Sequence, residues 1–98
     1  MRPVLLAVCF FFVGLAAKSQ TLISGKVKSN KGQPISGASI AIKDSYDGGT
    51  SDSLGNYKFK TSEKGEKVLV ITSIGYRVTE QKITIIGGEL QSDIILRE

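Results

Sequence analysis

Between Ile23 and Tyr76 the chain interleaves short alternating strands with glycine-bearing turns in a fixed order: ISGKV, GQPISGASIAI, SDSLGNYKF, SIGY. Successive side chains of a strand point to opposite faces, so alternation with period two marks a half-buried strand. Ile23, Gly25 and Val27 alternate with Ser24, Lys26 and Lys28. Ala38, Ile40 and Ile42 alternate with Ser39, Ala41 and Lys43, and Tyr57 and Phe59 with Lys58 and Lys60. Turns separate these runs. Gly32 tolerates positive φ and Pro34 cannot continue a ladder, and Asp47-Gly48-Gly49 predicts a tight turn within the polar stretch from Asp44 to Asp52.

Past the turn at Glu63–Glu66, Val68, Leu69, Val70 and Ile71 are apolar at every position, which predicts a central strand covered on both faces. The apolar phase then changes between Val78 and Ile83, predicting a bulge or break near Glu80-Gln81. Gly87-Gly88 turns the chain into a last strand over Asp93–Leu96. No helical periodicity appears in this region. The expectation is an all-β fold: a single small antiparallel β-sandwich of six to seven strands.

The first residues read differently. Met1-Arg2 precedes an apolar run from Val4 to Ala17, shorter than the about 20 residues that span a bilayer. Ala17 and Ser19 have the spacing that a signal peptidase reads, which predicts a signal-peptide helix over residues 1–19 and a sandwich domain over 20–98. Cys9 sits mid-run after Val8, where a lipoprotein acceptor would follow a small residue, so it is expected to leave with the signal. Loss of Arg2 and Lys18 leaves +2 of the formal +4 charge. Lysines and arginines do not cluster with aromatics, which argues against nucleic acid as a partner.

Composition also narrows the chemistry. The chain has no histidine, and its one cysteine is Cys9. The domain after Ser19 therefore lacks the commonest general base, the thiol nucleophile and the usual transition-metal ligands. No serine lies in a nucleophile-elbow pattern. No disulfide can form there either, so the domain has to be held by packing alone or helped by whatever it is attached to.

Ile23–Val27, Gly32–Ile35, Gly37–Ile40, Asp52–Tyr57 and Ile74–Tyr76, in that order, resemble the carboxypeptidase regulatory-like domain, a transthyretin-like β-sandwich. The flavour is similar to the N-terminal domain of TonB-dependent outer-membrane receptors of Bacteroidetes-type bacteria, over Leu22 to Leu96. Residue physics fits the motif. Gly75 suits an unusual φ or a close backbone approach, Tyr76 a buried ring with its hydroxyl at the edge, and Asp52 a self-capped turn. In such receptors a TonB-contacting segment, a plug and a barrel follow, whereas this chain stops at Arg97-Glu98. The expectation is a truncated receptor or a stand-alone domain. The transthyretin-like fold also hosts a ureide-hydrolysing family that depends on histidines, which this chain lacks.

Three clusters are candidate sites. Asp44, Asp47 and Asp52 could offer oxygen ligands to calcium, although the spacing is not that of an EF-hand and aspartates in such a Gly/Ser-rich turn are usually turn formers. Lys26 or Lys28 with Asp93 and Glu80 could form an isopeptide bond, although the lysines fall on the outward phase. Lys26, Lys28, Lys43, Lys58 and Lys60 could face anionic glycans or headgroups, or simply keep the sheet soluble. No catalytic, cofactor or metal residue is assigned. The expected function is a non-catalytic exported accessory or interaction domain of a TonB-dependent nutrient uptake receptor, in the periplasm or on the periplasmic face of the outer membrane. Its partner would be protein, possible glycan contacts aside, with membrane association only through that partner. The alternative is a free-standing secreted or periplasmic carbohydrate-binding or adhesion sandwich, which predicts saccharide binding by calorimetry.

Overall fold

The computed structural model describes residues 20–98; the expected signal peptide over 1–19 lies outside them. Eight strands follow in order: β1 (Thr21–Ser29), β2 (Ser39–Ile42), β3 (Gly48–Thr50), β4 (Asn56–Thr61), β5 (Gly65–Thr72), β6 (Thr79–Ile85), β7 (Glu89–Gln91) and β8 (Ile94–Leu96). One sheet has the order β4-β1-β7, with β8 also on β1; the other has the order β3-β2-β5-β6. The all-β sandwich expected from the sequence is the fold.

Inward residues of both sheets make one core. Ile23, Val27, Tyr57 and Phe59 come from the first sheet and meet Ile40, Leu69, Ile71 and Ile85 from the second. Each such side chain, fully buried, contributes about 1.5–3 kcal/mol relative to exposure. The Tyr57 and Phe59 rings stack at 6.4 Å between centroids.

The structure corrects several details. The C-terminal stretch forms two short strands rather than one, and both run parallel to β1: Leu22 faces Glu89, and Val27 faces Ile94. Gly87 and Gly88, at φ 110° and 71°, swing the chain from β6 across to the other sheet, where it arrives beside β1 in the same direction. Such a crossover between sheets permits parallel pairing that a hairpin does not.

The turn placed at Asp47-Gly48-Gly49 falls earlier, over Lys43–Asp47, where Asp44 takes a φ of 65°. Gly48 and Gly49 are instead in β3. A Cβ on Gly48 would press into the Ile40 carbonyl of β2, so glycine here serves close approach rather than turning.

β5 is interior to its sheet, between β2 and β6, but only one of its faces is covered. Leu69 and Ile71 are fully buried while Val68 and Val70, on the outer face, are half-buried. No bulge interrupts β6. Its register with β5 runs unbroken from Ile71↔Thr79 to Gly65↔Ile85. The apparent phase change arises because Val78 lies before the strand, 63% exposed.

Candidate functional site

Gly25 occupies the inward phase of β1, between the buried Ile23 and Val27, where a strand normally places a core side chain. Its register partner on β4 is Tyr57. The Tyr57 hydroxyl donates to the Ser92 carbonyl at 2.6 Å, in the link between β7 and β8. The Ser92 amide in turn donates to the Ser24 carbonyl at 2.8 Å. A Cβ on Gly25 would lie 2.6 Å from the Ser92 carbonyl carbon, closer still to its oxygen, and 3.0 Å from the Tyr57 ring. The glycine thus opens the space in which a tyrosine hydroxyl fastens the β7–β8 link onto β1. Burial pushes the Tyr57 hydroxyl up to about 12, with the Asp93 carboxylate adding to the effect.

An open groove of about 680 Å³ lies mainly on the first sheet, takes in Gly25 and Tyr57 of this lock and reaches Thr50 of β3. Ser24 and Lys26 of β1, Asn56 and Lys58 of β4, and Gln91 and Asp93 of the C-terminal stretch line it. Asp93 is partly committed, since its Oδ1 accepts from the Lys26 amide at 3.1 Å. The groove offers amide, hydroxyl, ammonium and carboxylate groups for hydrogen bonding. The chain supplies no histidine to activate a nucleophile there.

The Asp52 turn forms as its residues require. Asp52 Oδ1 accepts from the Leu54 and Asn56 amides, both at 2.9 Å, and Gly55 follows at a φ of 84°. A side chain on Gly55 would also meet the Val27 carbonyl at 2.6 Å. At the Ile74-Gly75-Tyr76 corner, Gly75 has the expected positive φ of 91°, but open space surrounds it rather than a close backbone approach. Tyr76 is half-buried against the core; the fully enclosed tyrosine hydroxyl is that of Tyr57.

The sequence-level clusters disperse. Asp52 is spent on its turn, Asp47 accepts from the Thr61 hydroxyl at 2.6 Å, and Asp44 sits in the exposed β2–β3 turn. Among the described residues, three carboxylates do not converge on a metal-sized site. The isopeptide set also separates. Lys28 is exposed, the Lys26 contact to Asp93 is through its backbone, and Glu80 lies on the other sheet 4.0 Å from Lys43. That same pair splits the lysine row: Lys26, Lys28, Lys58 and Lys60 share the outer face of the first sheet, without Lys43. The Gly25–Tyr57–Ser92 lock is what sequence reading missed. Its one signal was a glycine at an inward strand position.

Fold and site together first define a class, a small two-sheet β-sandwich with a polar groove over one sheet. Residues 23–98 match the CarboxypepD_reg-like domain, and the chain belongs to that family. The chain is 28% identical to the TonB-dependent receptor SusC of Bacteroides thetaiotaomicron over 98 residues, which is 99% of this chain and 9% of that receptor. Among solved structures, it is similar to chlorocatechol 1,2-dioxygenase from Pseudomonas putida (TM-score 0.69, 13% identity, 83% of this chain and 61% of that one). A cohesin–X–dockerin complex from Acetivibrio cellulolyticus also matches (TM-score 0.67, 20% identity, 78% of this chain and 56% of that one). At such identities these likenesses concern the fold alone.

Proposed function

We propose that this chain is a non-catalytic interaction domain of a TonB-dependent uptake system, exported and placed on the periplasmic side of the outer membrane. The observation that carries this reading is the match to the TonB-dependent receptor SusC along 99% of the chain. The structure is compatible with it in physical terms. Distinctive residues of the family pattern have structural work: Gly25 admits the β7–β8 link, Asp52 holds its turn, and Gly55 clears the Val27 carbonyl. What is left for function is surface, namely the polar groove and the sheet edges.

The reading is tested by cross-linking the affinity-tagged protein in the envelope of a Bacteroidetes-type host and identifying what co-purifies from the outer-membrane fraction. A TonB-dependent receptor in the cross-linked product, with Gln20 as the new first residue, is the expected result. Recovery of the chain in the cytosol, or without any envelope protein attached, would overturn it.

A further inference from the structure

The edges of the two sheets are not equivalent. The edge strands β3 and β4 back each other, with Gly49 against the Lys58 carbonyl, and β7 and β8 are three residues each. β6 is a seven-residue edge strand with an unbroken register and no proline. A long regular edge is a template for another strand unless something blocks it. On its outer face β6 carries Glu80, Lys82 and Thr84, all exposed. Two large apolar residues flank it on that same phase, Val78 at 63% and Ile86 at 86% exposure.

We propose that β6 pairs with β6 of a second copy, antiparallel about a two-fold axis at Gln81. The inward residues fix the choice of register. Ile83 and Ile85 belong to the core, and Gln81 donates to the Ser92 hydroxyl at 2.8 Å, so pairing has to keep odd residues inward on both copies. Several residue-centred two-folds keep this phase; one at Ile83 sets Lys82 against Thr84 and Glu80 against Ile86 and so pairs no opposite charges. A centre at Lys82 sets that lysine against itself, and one at Glu80 does the same for the glutamate. The centre at Gln81 places Glu80 opposite Lys82 of the second copy, twice by symmetry. It also brings Val78 opposite Thr84 and diagonal to Ile86 of the second copy. The exposed apolar residues at the two ends are thereby covered by one another. Charge complementarity and apolar cover select the same register, independently of any receptor.

A contact of this size belongs to the weak class of interfaces, below about 1,200 Å² of buried area. Sedimentation equilibrium of the purified protein up to about 1 mM is therefore the measurement, since that concentration reaches even a millimolar dimer. The expected result is a concentration-dependent doubling of mass. Lys82→Glu and Glu80→Lys should each weaken it by about tenfold or more, since each loses two cross-strand pairs and gains like charges. Mixing the two single variants in equal amounts should restore dimerisation, as should the Glu80→Lys/Lys82→Glu double variant. Both side chains are exposed, so urea midpoints should stay within error and separate pairing from folding. A monomer at the highest concentration overturns the proposal. So does a dimer indifferent to both reversals, or one that neither the mixture nor the double variant restores.

Discussion

Replacing Gly25 with alanine adds a single methyl group, at a position where the structure leaves it no room. The new Cβ would sit 2.6 Å from the Ser92 carbonyl carbon and 3.0 Å from the Tyr57 ring. Its principal neighbour is backbone, so no rotamer change relieves the contact. Either the β7–β8 link lifts from β1 or the Tyr57 ring moves, and both routes break the 2.6 Å bond from the Tyr57 hydroxyl to Ser92. Leaving a buried polar group without its partner costs about 1–3 kcal/mol. Overpacking a filled core adds about 1–3 kcal/mol, while alanine regains about 0.5–1 kcal/mol over glycine in a strand. The net loss is about 1–5.5 kcal/mol, a large share of a total of about 5–15 kcal/mol. Urea unfolding followed by circular dichroism should place the Gly25→Ala midpoint lower by about 1 M or more, at a slope of about 1 kcal/mol per M. Tyr57→Phe should cost less in the Gly25→Ala background than in the wild type, because the hydroxyl bond is already gone. A Gly25→Ala variant within about 0.5 kcal/mol of wild type, the usual range for unremarkable surface changes, would refute the lock.

Other consequences can be checked on the same purified protein. With its folded pKa raised to about 12 against an unfolded value near 10, Tyr57 contributes stability that is present below about pH 10 and lost as pH rises towards 12; an alkaline urea series should show this loss in wild type and a smaller one in Tyr57→Phe. Asp52→Ala removes the acceptor for the Leu54 and Asn56 amides and should lower stability by about 1 kcal/mol in thermal unfolding. Asp44→Gly should be neutral or stabilising by up to about 1 kcal/mol, since a φ of 65° strains an L residue. Ile71→Ala should cost about 2–5 kcal/mol and Val70→Thr under about 1 kcal/mol, and equal losses would mean that both faces of β5 are covered.

Alternation made the sandwich legible, because each strand with one wet face writes its phase into the sequence. Tyr57 and Phe59 point inward and Lys58 and Lys60 outward as their pattern says. The Asp52 turn was legible for a local reason, since its hydrogen bonds close within four residues. The misreadings have non-local causes. Val68 and Val70 look like core because β-branched residues suit any interior strand, and only the sheet's outer surface determines that they are half-exposed. Gly48 and Gly49 carry turn chemistry in their composition, yet both lie in β3, and at Gly48 the neighbouring β2 backbone demands glycine. The parallel pairing of β7 and β8 depends on a crossover between sheets, which no local pattern encodes. At the candidate site, Gly25 was visible as an inward glycine, but its partner Ser92 is 67 positions away in sequence and enters through a backbone carbonyl. A carbonyl has no residue identity to read.

On the proposed function, this sandwich serves TonB-dependent uptake through contact rather than catalysis. In-frame removal of the Gln20–Glu98 coding segment in the native host, with uptake then measured across a panel of labelled solutes, tests it most directly. Uptake of at least one TonB-dependent solute should fall while porin-route solutes are unaffected, and a re-introduced chain should restore it. Unchanged uptake across the whole panel, or restoration without any association with the envelope, would contradict it.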